Sequence, residues 1–284
     1  MQTAEPRSPS PVPVSPASAD LIYDIGLHRG EDAEFYLKKG FRVIGVEADA
    51  DLCAEVAARF AGAVEAGRLT IVHVAIAETA GRATLYRNRS FSIWNTLQPE
   101  WAERNQRRGA SSLAVEVETA TLASVIERYG PAYFVKIDIE GMDVAALKSL
   151  ARASSRPRYV SIESDKTSFA GLRREFAVFE SLGYDRFKIV AQHEAMRQVP
   201  PNPPREGVYA AHRFIYDASG LFGEEAPGEW MSAAEAIEAY RPIFLRYALT
   251  GDDPLIGSPT LRRALEFFGF RAGWHDTHAK HRDV

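Results

Sequence analysis

The sequence predicts an α/β domain on a mostly parallel sheet with helices on both faces, and three observations carry this. From Leu21 onward, short apolar runs alternate with helical segments, the pattern of βαβ units joined by right-handed crossovers. Two of the runs end in acid-and-glycine turns, Asp24-Ile25-Gly26 and Asp138-Ile139-Glu140-Gly141. Carboxylates there fit the carboxyl edge of a parallel sheet, where such proteins bind ligands, and not a strand interior. The chain's 284 residues, 46% apolar and 25% charged, are enough to bury a full core without staples.

Met1 to about Asp20 is rich in Pro, Ser and Ala and has no apolar signal-peptide stretch, so it reads as a disordered tail. Leu21–Ile25 reads as the first strand and 31–39 as a helix closed by Gly40. The run 41–46 is a second strand ending at Glu47, 51–66 an Ala-rich helix, and 69–74 a third strand. Residues 82–89 and 113–119 read as shorter strands or a hairpin around a polar, Arg-rich insert from Trp94 to Ser112. A helix at 121–129, a core strand at 133–137, a helix at 144–151 and a strand at 159–162 before Glu163 follow. Residues 169–182 read as a helix, 186–189 as a strand, and 208–216 as a candidate final strand. The organisation is thus a tail (1–20), a catalytic domain (21–218) and a helical C-terminal extension packed on the same domain (219–284), with Ser232 capping a helix.

Charge and composition exclude several classes. A net charge of −4 lacks the basic excess of a nucleic-acid binder. The lone Cys53 excludes an intrachain disulfide framework and suits a reducing, cytoplasmic setting. No apolar run approaches the ~20 residues that span a bilayer.

Chemistry concentrates at two turns. In the first, Asp24 ends a strand, Gly26 and Gly30 flank a tight turn into a helix, and Glu47 closes the next strand. An acid there accepts hydrogen bonds from ribose hydroxyls, and glycines let a ligand approach the backbone near a helix N-terminus. Leu27, His28 and Arg29 between the glycines break the G-x-G-x-x-G pattern, which disfavours a dinucleotide and suits an adenosine cofactor with an amino-acid tail. The second turn places Asp138 and Glu140 beside Glu163 on the neighbouring strand end. The blander alternatives are that Glu140 caps the next helix and that Asp138 only positions cofactor. The C-terminal His275, Asp276, His278 and His281 read as a frayed helix and not as a zinc site.

Asp24-Ile25-Gly26, Gly30, Val46-Glu47, Thr121-Leu122 and above all Lys136-Ile137-Asp138-Ile139-Glu140-Gly141 resemble the FkbM-type family of S-adenosylmethionine-dependent methyltransferases, over about residues 21–190. The chain departs from that pattern at Leu27, His28, Ala48, Ala123 and Met142-Asp143. The resemblance implies a seven-stranded Rossmann-like sheet and methyl transfer to a hydroxyl of a sugar, polyketide or related small metabolite. It also implies that Asp24, Gly26 and Gly30 line the cofactor tail and that Glu47 holds the ribose, with Val74 and Ala75 near the adenine. His28 and Ala48 join this cofactor set, and Asp138 belongs both to it and to the catalytic set of Asp138, Glu140 and Glu163. Asp138 is the first candidate for base or metal ligand, with Glu140 and Glu163 orienting the acceptor or completing a carboxylate cluster.

A free carboxylate is a weak base for an alcohol, so either burial raises its pKa or a hard ion such as Mg²⁺ assists. The expected partner is a small hydroxylated or glycosylated substrate; homo-oligomer formation is left open. The competing readings are a nicotinamide-dependent oxidoreductase, which lacks its glycine pattern and a Tyr-x-x-x-Lys pair, and a non-catalytic nucleotide-binding module.

Overall fold

The computed structural model describes residues 12–251, 254–256, 258–267 and 272–284. The first half runs β1 (Leu21–Ile25), α1 (Glu31–Lys38), β2 (Arg42–Glu47), α2 (Ala50–Arg59), α3 (Ala61–Glu65), β3 (Leu69–His73), β4 (Ala75–Ile76) and β5 (Gly81–Asn88). It continues with α4 (Pro99–Arg107), β6 (Ser112–Ala120), α5 (Leu122–Tyr129), β7 (Ala132–Ile137), α6 (Asp143–Ser149) and β8 (Tyr159–Glu163). The last elements are α7 (Phe169–Ser181), β9 (Tyr184–Ala191), α8 (Ala233–Thr250), α9 (Pro259–Phe267) and β10 (His275–His281). Among the described residues no helix is long and apolar enough to cross a membrane.

Seven strands form the main sheet in the order β3-β2-β1-β7-β8-β10-β9, with only β10 antiparallel to its neighbours. Strand alternation divides the core between two faces. Tyr23, Ile25, Val135 and Ile137 face one way, under α5, α6, α7 and α8. Ile22, Val43 and Phe134 face the other way, under α1, α2 and the irregular segment 214–222. Phe222 of that segment stacks on Phe134 at 5.1 Å and meets Tyr36 edge-on at 5.1 Å. The segment is fastened by a fully buried ion pair, Lys39 Nζ to Glu225 Oε1 at 2.8 Å. Glu225 also accepts the backbone N–H groups of Arg205 and Glu206, so neither charge is left without partners.

The parallel α/β sheet stands as expected, and four local expectations change. The helix expected at 51–66 is broken at Phe60, whose ring lies beneath Gly30; a Cβ on Gly30 would come within 2.7 Å of it. Residues 208–216 form no strand. The sheet is completed by β10 from the C-terminus, so the expected frayed helix at 275–281 is an interior strand and the extension is not wholly helical. Of the expected disordered tail, 1–11 lie outside the described residues, but Val14 forms a parallel bridge with Arg156 and Ser15 is fully buried. Two backbone hydrogen bonds, Ser15 N–H to Arg156 O and Arg156 N–H to Pro13 O, hold that stretch in place.

A second, three-stranded sheet, β4-β6-β5, carries the expected hairpin. Its β4 and β5, with the loop 92–97, contribute Ala75, Ile76, Leu85 and the loop's residues to one wall of the site.

Candidate active site

A cavity of about 320 Å³ opens at the carboxyl edge of the main sheet. That is within the range of small-molecule sites. Its floor is made by the turns after β1, β2, β7 and β8.

The turn after β1 is shaped by its backbone. Gly26 has φ +89°, and its N–H donates to Val46 O at 3.0 Å. A Cβ there would sit 1.9 Å from Asp138 O, so only glycine lets the turns after β1 and β7 meet. Two residues on, His28 also adopts a left-handed conformation (φ +49°), uncommon for a residue with a side chain. It is held by three bonds: its N–H donates to Glu47 Oε2 (2.9 Å), Nδ1 donates to Glu31 Oε1 (3.1 Å), and Nε2 is hydrogen-bonded to Ser92 Oγ (2.8 Å). The Glu31 carboxylate can only accept, so Nδ1 is the ring nitrogen that donates to it.

Glu47 ends β2 with its carboxylate turned into the cavity and 8% of the residue exposed. Burial raises its pKa; the N–H groups of Asp49 and His28 oppose that by donating to its two oxygens. Each oxygen keeps acceptor capacity toward the cavity. Ala48, Val74, Ala75 and Ile76 form the apolar wall beside it, faced by Leu85 and Trp94.

At the other end stand the acids. Asp138 lines the cavity with its Oδ2 3.6 Å from Lys136 Nζ. Lys136 is buried and reaches Asp32 at 3.1 Å and Asp24 at 3.6 Å as well. Burial alone would lower its pKa, but these three carboxylates raise it well above the usual lysine range. Glu140 stands in a left-handed turn (φ +44°). Burial, then the neighbouring Glu163 and Asp138, drives its carboxyl well above the usual range. Glu163 is also raised by burial, opposed by the Lys166 ammonium bound to it.

The turn itself is pinned by Asp143, which accepts the N–H groups of Ile139 and Gly141, both at 3.2 Å. Glu140 therefore does not serve as the helix cap. Burial pushes Asp143 up to about 7. Among the described residues no group of three or more His, Cys, Asp or Glu side chains is arranged to hold a metal ion.

Of the residues expected at the site, Gly26, His28, Glu47, Ala48, Val74, Ala75, Asp138, Glu140 and Glu163 all line this one cavity. Asp24 and Gly30 do not. Asp24 is 1% exposed beneath the floor, facing Lys136, and burial pushes its carboxyl up to about 7 despite that ammonium. Gly30 faces the Phe60 ring, which needs the space a side chain would take.

Other wall residues escaped the sequence reading: Gln192, His193 and Met196 after β9, Tyr216 and Asp217, and Trp274 before β10. No local motif marks them. The insertion of β10 between β8 and β9 brings Gln192, His193, Met196 and Trp274 to the mouth, where Gln192 Nε2 donates to Asp276 Oδ1 at 2.7 Å, and the segment packed on α1 brings Tyr216 and Asp217.

A doubly wound sheet with one reversed strand, a glycine turn after β1 and a cavity-facing acid after β2 define a protein that binds a nucleotide-type cofactor at the carboxyl edge of its sheet. The chain belongs to the FkbM methyltransferase family, whose profile, described as a methyltransferase FkbM domain, matches residues 24–186. It is accordingly an S-adenosylmethionine-dependent methyltransferase, which displaces the nicotinamide reading. No curated protein matches it at a significant level.

Among solved structures it is similar to an S-adenosylmethionine-dependent methyltransferase from Thiobacillus denitrificans in complex with S-adenosyl-L-homocysteine. There the identity is 12%, with 93% of this chain and 86% of that chain covered and a TM-score of 0.37. A counterpart from Geobacter sulfurreducens, also with S-adenosyl-L-homocysteine, is 14% identical (93% and 85% covered, TM-score 0.36). The O-MT segment of StiE is 11% identical (93% and 69% covered, TM-score 0.39). At these scores the likenesses carry no argument about chemistry.

The residues present fit the family's cofactor. Glu47 offers two acceptor oxygens for a ribose diol, and the apolar wall of Val74, Ala75 and Ile76 suits an adenine. The turn from Gly26 to His28, which lines the same cavity, suits an amino-acid tail.

Proposed function

We propose that this chain transfers a methyl group from S-adenosylmethionine to a hydroxyl of a small glycosylated or polyketide-like metabolite. The observation that supports it is one cavity with Glu47 at one end and Asp138, Glu140 and Glu163 at the other. The cofactor, when bound, supplies an electrophilic methyl group. The protein must then hold an acceptor oxygen in line and take its proton.

The acids divide these tasks by environment. Glu140, whose carboxyl burial and the neighbouring Glu163 and Asp138 raise well above the usual range, borders the acceptor and helps orient it. Glu163 is raised by burial but tempered by Lys166, and it accepts the hydroxyl proton. Asp138, beside the Lys136 ammonium, orients the acceptor and the cofactor end of the cavity. The apolar rim of Met196, Ile215, Tyr216 and Trp274 suits an acceptor with an apolar body. A small-molecule role in a reducing cytoplasmic setting agrees with the net charge of −4 and the single cysteine.

The experiment is calorimetric titration with S-adenosylhomocysteine beside NADH, with and without Mg²⁺. It is followed by methyl transfer to a panel of glycosides and hydroxylated polyketides. Micromolar binding of S-adenosylhomocysteine alone and transfer to one acceptor, lost in Glu163→Gln, are expected. Binding without transfer to any hydroxylated acceptor sinks the O-methylation reading and favours a binding module.

A further inference from the structure

We propose that residues 88–97 form a lid over the cofactor end of the cavity, latched by the same two residues that hold Glu47. The inference rests on Glu47 being the ribose carboxylate. His28 and Asp49 each give Glu47 a backbone N–H, at 2.9 Å to Oε2 and Oε1 respectively. Each then reaches the 88–97 segment with its side chain. His28 Nε2 is hydrogen-bonded to Ser92 Oγ at 2.8 Å. Asp49 Oδ2 accepts from Asn95 Nδ2 at 3.2 Å and from Arg87 Nε at 2.7 Å, just ahead of the segment. The other oxygen of Asp49 caps α2 through Asp51 N–H, so the latch is fixed to a helix.

The segment is braced within itself between two anchors on the second sheet, where Arg89 N–H donates to Ser111 O at 2.9 Å and Tyr86 N–H donates to Thr96 O at 2.9 Å, so 90–95 is the part that swings. Asn95 Oδ1 accepts the Asn88 N–H (2.8 Å), and Asn88 Oδ1 accepts those of Ser90 and Phe91 (2.9 Å each). Phe91 packs on Trp94 at a ring separation of 4.8 Å. Residues 92–97 line the cavity across from Glu47, and Thr96 Oγ1 donates to Glu140 O at 2.8 Å. A closed lid thus touches both the ribose end and the acid end.

The coupling follows from shared backbone. A ligand seated on Glu47 fixes the peptide units of His28 and Asp49, and their side chains then lose less freedom in gripping the lid. By reciprocity the gripped lid slows ligand release. The left-handed backbone of His28 is held by these same bonds, so it relaxes when they break.

The test is hydrogen exchange of 88–97 and stopped-flow release of S-adenosylhomocysteine, in the wild-type chain and in Ser92→Ala and Asn95→Ala. Neither substitution changes a core residue. Bound S-adenosylhomocysteine should slow exchange across 88–97 in the wild type. Each variant should release it roughly tenfold faster, the factor for one net hydrogen bond, and keep a fast-exchanging lid with ligand bound. Thermal midpoints without ligand should stay together, which a merely structural role would not allow. Lid exchange indifferent to saturating ligand, or wild-type release in both variants, overturns the latch alone. A wild-type chain that does not bind S-adenosylhomocysteine overturns the cofactor assignment and the latch with it.

Discussion

Lys136 Nζ lies 3.6 Å from Asp138 Oδ2, two residues further along the same chain. The pair ties the reaction end of the cavity to a charge cluster beneath the sheet edge, because Lys136 also meets Asp32 and Asp24. One buried ammonium thereby serves three carboxylates, two of them on other elements.

Removing that ammonium should cost far more than a surface charge. In Lys136→Met, Asp24 and Asp32 are left 1% and 2% exposed with no cation, and unpairing a buried ion pair costs about 3–5 kcal/mol. The midpoint of urea denaturation at pH 7.5 should fall accordingly. A variant within about 0.5 kcal/mol of the wild type would show that the cluster is not ionised as described.

Glu47→Gln and Glu47→Ala should separate charge from contact. Both oxygens of Glu47 already accept a backbone N–H, so the amide of glutamine places a donor against one N–H. Hydrogen bonds to charged groups are worth about 1.5–3 kcal/mol, so S-adenosylhomocysteine affinity should fall on the order of 10- to 100-fold in each variant. Calorimetry checks it, with circular dichroism confirming that the fold persists.

The legible part of the fold was the part whose chemistry is local. The strand ends at Asp24, Glu47, Asp138 and Glu163 are marked by acids that a buried strand rejects, so both turns of the site could be placed from sequence. Asp24 misled because its position at a strand end does not say which side its carboxylate takes; burial beside Lys136 is settled by three-dimensional packing. Strand β10 was illegible for another reason. His275-Asp276-Thr277-His278-Ala279-Lys280-His281 has no apolar run; Asp276 and Thr277 are buried against the remote Gln192, Ser164 and Tyr240, and His278 stacks on Phe134. With β10 unread, the mouth residues it brings in, Gln192 and Trp274, had no signal either.

Stability should decline with rising pH through the buried acids, and Glu175 is the one whose share can be isolated. Glu175 is 1% exposed, and burial pushes it up to about 8, against hydrogen bonds from Ser164 Oγ and the Asp165 N–H. Its unfolded value is near ~4.3. The folded chain therefore holds a proton that the unfolded chain releases between about pH 4 and 8. Each unit of pH across that window removes on the order of 1 kcal/mol. Above the folded value both states are ionised and the slope ends. Glu175→Gln should flatten this part of the profile and gain relative to wild type at pH 8 compared with pH 5. Parallel denaturant profiles for the two proteins would refute the assignment.

The C-terminal strand should govern both stability and the mouth of the site. β8 and β9 meet only through β10, so a chain ending at Trp274 loses both ladders and exposes the interior edges of two strands. Such a chain should not fold cooperatively. A milder change isolates the polar contacts. Thr277 Oγ1 is fully buried between Ser164 Oγ (2.5 Å) and Tyr240 OH (2.8 Å), and Ser164 in turn donates to Glu175. Thr277→Val keeps the shape and removes the hydroxyl, leaving the Tyr240 hydroxyl without this partner at a cost of about 1–3 kcal/mol. Because the strand also carries Asp276, which holds Gln192 at the mouth, Asp276→Asn should weaken acceptor binding more than cofactor binding. Equal losses in the two titrations would show that β10 acts on the site only through overall stability.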